Sequence, residues 1–305
     1  MSDGLLPPPD ASSEFRAADG LRLHSLSWPV ERPRAVLLLS HGLGEHAGRY
    51  AAVARDLAPR GIEVHALDHR GHGRSRGIRG HTARFGKLVD DFDRFAAGVM
   101  ERAPRDVPVF LLAHSLGGLI GIRWLETRPR AELCGAILSA PLLGIAKQAA
   151  RWKTALSGFL SKALPWIPIP NEVDPAELSS DSAYTRSYRE DPLVHDKISP
   201  RLYTEMVGAM RDAFAEKDRI SLPLLFVVPG ADTIVREEAT LRFAESLRGD
   251  VTVRRYPGFH HESLNELDRA RPIADLLGWM EERIGGGMAP GGEGREGGRP
   301  RPEGE

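Results

Sequence analysis

Apolar residues cluster in short runs along the chain, with amphipathic stretches between them. Residues 35–39, 62–67, 109–113, 136–140, 224–228 and 251–256 are mostly apolar, the pattern of strands buried on both faces of a sheet. Between the runs, apolar residues recur at three- and four-residue spacing: Tyr50, Val53, Ala54 and Leu57; Phe85, Leu88, Val89, Phe92, Phe95, Ala96 and Val99; Ile273, Leu276, Leu277, Met280 and Ile284. Each set makes one stripe on a helix, to be buried against a sheet. Strand and helix in alternation demand right-handed crossovers, and so a mostly parallel sheet with helices on both faces. Asp19-Gly20, between 14–16 and 21–28, predicts an antiparallel hairpin ahead of that sheet.

One interval breaks the alternation. From 141 to 222 no buried-strand run appears, and helical patches separated by Pro-rich and Asp/Ser-rich pieces fill a stretch too long for a plain connection. It reads as an inserted helical cap, which divides the chain into a sheet domain over 14–140 and 223–284 and a cap, or lid, over 141–222. Residues 1–13 are polar and Pro-rich and predict a flexible N-terminus. Residues 285–305 are Gly, Pro, Glu and Arg with Met288 as the large apolar residue, which predicts a disordered tail. No internal repeat at solenoid or propeller period is present.

Charge removes several function classes. Lys and Arg number 41 against 42 Asp and Glu, giving a formal net charge of -1, so no field gathers phosphates and no nucleic-acid partner is expected. The single Cys134 excludes an intramolecular disulfide and a Cys-rich zinc site, and its apolar surroundings predict a small core residue. Residues 1–13 lack the pattern of a signal peptide, and no apolar stretch approaches the length of a bilayer span. A cytoplasmic protein is expected.

The run 109–113 leads into His114-Ser115-Leu116-Gly117-Gly118 and then a helix-like segment. A serine between strand and helix sits on a sharp turn, with small residues two positions either side, here Ala113 and Gly117, letting strand and helix approach closely. A serine hydroxyl is a poor nucleophile at neutral pH and needs a base, itself oriented by a carboxylate. Two later strands end in loops at the same sheet edge, one carrying Asp232 and the other His260 and His261. The order Ser115, Asp232, His is that of the α/β-hydrolases. Asp232 also fits a simple N-cap, and geometry alone leaves His260 and His261 unresolved. Asp250 is a weaker acid candidate because it precedes its strand and faces the opposite edge. Ser40-His41-Gly42-Leu43-Gly44 follows the run 35–39, so the backbone N–H groups of Leu43 and Leu116 are the expected oxyanion donors, with His41 fixing the loop. The histidines 46, 65, 69, 72 and 81 show no zincin-like helix spacing, and no metal is expected. The stretch 68–75 is glycine-punctuated but lacks the Gly-Lys-Ser/Thr ending of a phosphate loop, and reads as a structural turn.

The segments His41-Gly42-Leu43-Gly44-Glu45-His46-Ala47-Gly48-Arg49-Tyr50, Asp68-His69-Arg70-Gly71-His72-Gly73-Arg74-Ser75 and Gly258-Phe259-His260-His261-Glu262, with Asn265-Glu266, resemble the monoacylglycerol lipases and related lysophospholipase-like α/β-hydrolases. The similarity runs from about 14 to 284 and includes Asp174-Pro175, Leu178-Ser179 and Asp191-Pro192-Leu193-Val194-His195 within the cap. The resemblance selects His261 as the base and implies that Glu45 and Arg49 bind a glycerol head group; by spacing alone these two form a loop-stabilising ion pair. The chain departs from the family pattern at Ala113 in the turn before Ser115 and at Leu43, whose bulk bears on the acyl entrance.

A serine esterase is therefore expected, cleaving monoacylglycerol to fatty acid and glycerol through an acyl-enzyme on Ser115, His261 and Asp232, without a cofactor. The small-molecule partner is a lipid ester; the oligomeric state stays open. Alternatives are a lysophospholipase, a short-chain carboxylesterase or, from another class, a non-catalytic hydrolase-fold binding protein. At the start of the cap, 142–170 contains no Asp or Glu. Projected as a helix, Ile145, Ala149, Trp152, Leu156, Phe159, Leu160 and Ala163 lie on one side, opposite Lys147, Arg151, Thr154 and Lys162. That stripe fits either peripheral contact with a membrane or packing on the catalytic domain.

Overall fold

The computed structural model describes residues 11–128, 132–146, 160–161, 163–171 and 173–285. Among the described residues ten strands are present: β1 Ala11–Arg16, β2 Arg22–Trp28, β3 Ala35–Ser40, β4 Ile62–Leu67, β5 Val109–His114, β6 Leu133–Ser139, β7 Ile169–Pro170, β8 Lys197–Ile198, β9 Leu224–Pro229 and β10 Val251–Tyr256. Among the described residues the α-helices are α1 Ala51–Leu57, α2 Gly86–Arg102, α3 Leu116–Thr127, α4 Ser182–Glu190, α5 Pro200–Glu216, α6 Glu237–Glu245 and α7 Ala270–Gly285.

Eight strands form one sheet in the order β1-β2-β4-β3-β5-β6-β9-β10. It is parallel from β4 to β10, and the β1–β2 hairpin joins it antiparallel through β2 and β4. Strand alternation separates two cores. On β3, Val36 and Leu38 face one apolar cluster with Leu88 of α2, Trp124 of α3 and Phe243 of α6; Ala35, Leu37 and Leu39 face the other, with Val53 of α1 and Leu276 of α7. Each fully buried aliphatic side chain in these layers stabilises the fold by roughly 1.5–3 kcal/mol.

Four expectations need correction. Ala11–Arg16 forms β1, so 11–13, expected to be flexible, are paired with Ser25–Ser27 of β2. Val251–Tyr256, expected to be buried on both faces, is an edge strand on which Arg254 and Arg255 are exposed. The run 136–140 starts earlier, at Leu133, and stops before Ala140, whose φ of 42° belongs to a turn. Cys134 is only partly buried, packed at the margin of a core cluster, and burial pushes its thiol up.

Between β6 and β9 the described residues add no strand to the main sheet. They contribute α4, α5 and the two-stranded β7–β8 ladder. Helix α5 buries Leu202, Met206, Ala209 and Ala213 in the same cluster as α3. The C-terminal part of this insertion therefore shares the core of the sheet domain. The amphipathic stripe expected over 142–170 falls largely on 147–159 and 162, outside the described residues, as do 286–305 of the expected tail.

Candidate active site

Ser115 stands between β5 and α3 with φ 52° and ψ −118°, a conformation that costs a non-glycine residue roughly 1–3 kcal/mol. The surroundings hold it there. Ser115 N–H donates to Ser139 O (3.0 Å), and the N–H groups of Leu142 and Leu119 donate to Ser115 O (2.9 and 3.1 Å). Gly117 is required by close approach, since a Cβ there would lie 2.2 Å from Ser40 O. Ala113 is accommodated because Gly121 of α3 faces it; a Cβ on Gly121 would lie 3.1 Å from that of Ala113. The departure from the usual glycine before the serine is thus matched one turn into the helix.

Ser115, His261 and Asp232 come together although distant in sequence. The hydroxyl of Ser115 lies 2.9 Å from His261 Nε2, and His261 Nδ1 lies 2.7 Å from Asp232 Oδ2. The side chains of His261 and Asp232 are 4% and 2% exposed, so their pairing is desolvated. Burial pushes the His261 imidazolium down, but the Asp232 charge and hydrogen bond, with Glu262 and Glu45 behind, outweigh it and hold His261 above its ordinary value. For Asp232, burial pushes the carboxyl up, and His261 with the Val235 and Ile234 N–H groups brings it below the ordinary range. Such an arrangement draws the hydroxyl proton toward His261 and stabilises the imidazolium that results.

The neighbouring His260 has a different partner. Its Nδ1 and backbone N lie 2.9 and 2.7 Å from Glu266 Oε1, and a third of its side chain is exposed. Asp250 lies at the other edge of the sheet, paired with Arg283 at 2.5 Å.

Leu116 opens α3, where first-turn N–H groups have no acceptor within the helix. Leu43 follows Gly42, on which a Cβ would lie 3.3 Å from Ser115 Cβ, so the loop after β3 passes close over the serine. His41 fixes this loop: its Nδ1–H donates to Gly42 O (2.8 Å), and its Nε2 accepts from His69 N–H (3.0 Å). Asp68 ties the 68–75 turn to the same loop, accepting from Ala47 N–H (2.8 Å) and Arg74 N–H (2.9 Å). Among the described residues no group of His, Cys, Asp and Glu has metal-binding geometry.

A cavity of about 380 Å³ reaches Ser115 and His261. Its lining divides by chemistry: Leu142, Ile145, Ile198, Met206 and Ile234 are apolar, while Glu45, Glu177 and Glu262 are carboxylates. Glu45 Oε1 accepts from Gly42 N–H (2.5 Å) and Tyr50 O–H (2.9 Å), and Oε2 has no hydrogen-bond partner among the described residues. Burial and the Glu262 charge push Glu45 up to about 8. Arg49 is buried, and its guanidinium lies 4.4 and 4.5 Å from the ring centroids of Tyr184 and Tyr188 on α4, outside the cavity lining. Among the described residues, no close Glu45–Arg49 ion pair forms. The sequence reading assigned no part to Glu262, Tyr184, Tyr188 or Asn265, although Tyr184 O–H and Asn265 Nδ2 both donate to Glu262 Oε2. The signal available was the i, i+4 spacing of the two tyrosines on a polar helix.

A serine on a sharp strand-to-helix turn of a mostly parallel sheet, with an acid and a histidine on later loops, defines an α/β-hydrolase. The chain belongs to the family described as serine aminopeptidase, S33, whose pattern matches residues 31–268. It is a serine hydrolase. It is 31% identical over 273 residues to a monoacylglycerol lipase of Mycolicibacterium smegmatis, spanning 88% of this chain and 96% of that one. It is 32% identical over 275 residues to an uncharacterized abhydrolase domain-containing protein of Dictyostelium discoideum, of whose length it spans only 29%. The crystal structure of a monoacylglycerol lipase from Paleococcus ferrophilus superposes with a TM-score of 0.78 at 33% identity, covering 86% of this chain and 99% of that one.

Proposed function

We propose that the protein hydrolyses monoacylglycerols to fatty acid and glycerol through an acyl-enzyme. In this reading Ser115 Oγ attacks the ester carbonyl carbon as His261 Nε2 takes its proton, and Asp232 holds the imidazole in orientation. The N–H groups of Leu43 and Leu116 hold the oxyanion. His261 returns the proton to the glycerol oxygen, which leaves. Water then attacks the acyl-Ser115 ester by the same route and releases the acid. No cofactor takes part in these steps.

The observation that carries the reading is a single cavity bringing apolar side chains and three carboxylates to Ser115. With Glu45 holding a proton near neutral pH, its free Oε2 is a hydroxyl-directed donor. Glu45 is thus the head-group contact, and Arg49, outside the cavity lining, acts on it only through its charge. Among the described residues lining the cavity there is no Lys or Arg, which favours a neutral glycerol over a lysophospholipid phosphate. We also take the insertion as a cap, and its edge at Trp166, Ile167 and Ile169, of which Trp166 is 53% exposed and Ile169 reaches the cavity, as a peripheral contact with lipid surfaces.

Turnover of monooleoylglycerol, lysophosphatidylcholine, a p-nitrophenyl ester and an amino-acid p-nitroanilide tests the reading. The monoacylglycerol and the p-nitrophenyl ester should be cleaved. Ser115→Ala, Asp232→Asn and His261→Ala should each lower the rate by at least about a thousandfold, because the three act as a unit, and His260→Ala should cost far less. A folded wild type cleaving only the anilide, or a fully active Ser115→Ala, rejects the reading.

A further inference from the structure

A second cavity, of about 490 Å³, lies beside the first, lined by Leu143, Ile145, Val207, Met210 and Ala239, with Arg236 among the polar residues. Ile145 lines both. On α5, Tyr203 and Met206 face the Ser115 cavity, whereas Val207 and Met210 face the second. Positions 203, 206, 207 and 210 follow the i, i+3, i+4, i+7 pattern of one helix face. The two spaces therefore lie in line along a single stripe of α5, with Ile145 at the join.

The backbone that carries this side chain is pinned. Ile145 bridges Val235, Ala146 N–H donates to Ile234 O (2.9 Å), and Arg236 donates from its N–H to Gly144 O and from Nε to Ile145 O (both 2.9 Å). Ile234 and Val235 in turn donate to Asp232 Oδ1, at 2.8 and 3.0 Å. The partition is thus mounted on the loop that presents Asp232 to His261, held by bonds to backbone groups that do not depend on the Ile145 side chain. On the far side the walls are mixed: Leu143, Val207, Met210 and Ala239 supply an apolar strip beside Arg236, Glu238 and Arg242, and the Arg242 guanidinium lies over the Phe214 ring, 5.0 Å from its centroid.

We propose that Ile145 is the stop of the acyl site: it sets the longest fatty acyl chain that the Ser115 cavity accepts, and the second cavity is the space a longer chain enters when that stop is cut back. The proposal rests on the ester-hydrolase reading above. Each methylene gained or lost in a hydrophobic pocket changes discrimination by roughly tenfold or more, so one side chain at the join is enough to move the preference.

The test is kcat/KM for p-nitrophenyl esters from butyrate to palmitate. Ile145→Ala should raise the palmitate-to-butyrate ratio by about tenfold or more. Ile145→Phe should move the preference toward shorter chains. Ile145→Val, which opens the join by less, should give a smaller shift in the same direction as Ile145→Ala and serves where the alanine variant is unstable. Val207→Trp fills the second cavity: alone it should leave the profile unchanged, and in the Ile145→Ala background it should restore the wild-type ratio. A chain-length profile identical in the wild type and in folded Ile145→Ala and Ile145→Val overturns the proposal, as does a double variant that keeps the long-chain gain. Wild-type turnover of butyrate separates these failures from that of the underlying reading, since no ester turnover at all rejects both.

Discussion

Asp232 divides one carboxylate between two tasks. Its Oδ1 accepts from Ile234 and Val235 N–H, at 2.8 and 3.0 Å, while its Oδ2 accepts from His261 Nδ1. The sequence offered a local cap or an orienting acid as rivals, and the side chain makes both kinds of contact, although α6 begins later, at Glu237. Burial lowers His261 and Asp232 raises it, with the net above the ordinary value of about 6.5. Because a general base must be neutral, kcat/KM on a soluble ester should fall as pH drops through that raised value. In Asp232→Asn the raising charge is gone and burial remains, so the acidic limb should move to lower pH while the plateau drops by about 10³–10⁴. A limb that stays in place would mean His261 does not set the profile. Ser115 and Asp232 were legible because each follows an apolar strand at the same sheet edge. The choice of His261 over His260 was not legible from those strands, since it depends on Glu266 drawing His260 aside, and only the family resemblance made it.

The insertion is tied to the sheet by polar contacts that no local pattern announces. His46 Nε2 pairs with Asp191 Oδ2 at 2.8 Å across 145 residues of chain, His195 N–H donates to Gly44 O (2.8 Å), and His195 Nε2–H donates to Gly71 O (3.1 Å). The stretch 191–195, which carried part of the resemblance, thus binds the loops after β3 and β4. Hydrophobic periodicity sees strands and helices because those depend on near neighbours. It is blind to Arg49 laying its guanidinium against Tyr184 and Tyr188, far away in sequence. Two glycines offer a controlled test of these ties. Gly20 and Gly44 share a φ of 82°, but a Cβ on Gly20 meets nothing within 4 Å, whereas one on Gly44 would lie 2.4 Å from His195 O. Gly20→Ala should cost about 1 kcal/mol of stability through backbone strain alone. Gly44→Ala should cost more by urea denaturation and should also speed limited proteolysis within 171–199. Equal losses with unchanged cleavage would show that the His195 contact does not hold the insertion.

Across the whole molecule, alternating apolar runs were enough to give a mostly parallel sheet with a helical layer on each face. They overstated the burial of β10, because a strand that closes a sheet and one inside it share apolar residues until charges such as Arg254 and Arg255 are weighed. Among the described residues no helix is long and apolar enough to cross a membrane. Binding to phosphatidylserine-containing vesicles should be detectable by sedimentation at low salt and weaken as salt screens the basic residues of 147–162. It should fall in Trp166→Ser, Ile167→Ser, which should keep activity on a soluble short-chain ester. No vesicle binding at low salt would leave the apolar edge as a cavity wall only. The sheet is also open at both ends, and an open end exposes unpaired peptide groups that can template another chain. At one end β1 presents Ser12, Ser13 and Glu14 to solvent, and at the other β10 presents Arg254 and Arg255. Two copies meeting β10 to β10 would bring exposed Arg254 against its counterpart and would have to accommodate the Arg255–Glu237 pair (2.8 Å), so the charges that mark β10 as an outer strand oppose growth of the sheet from one molecule into the next.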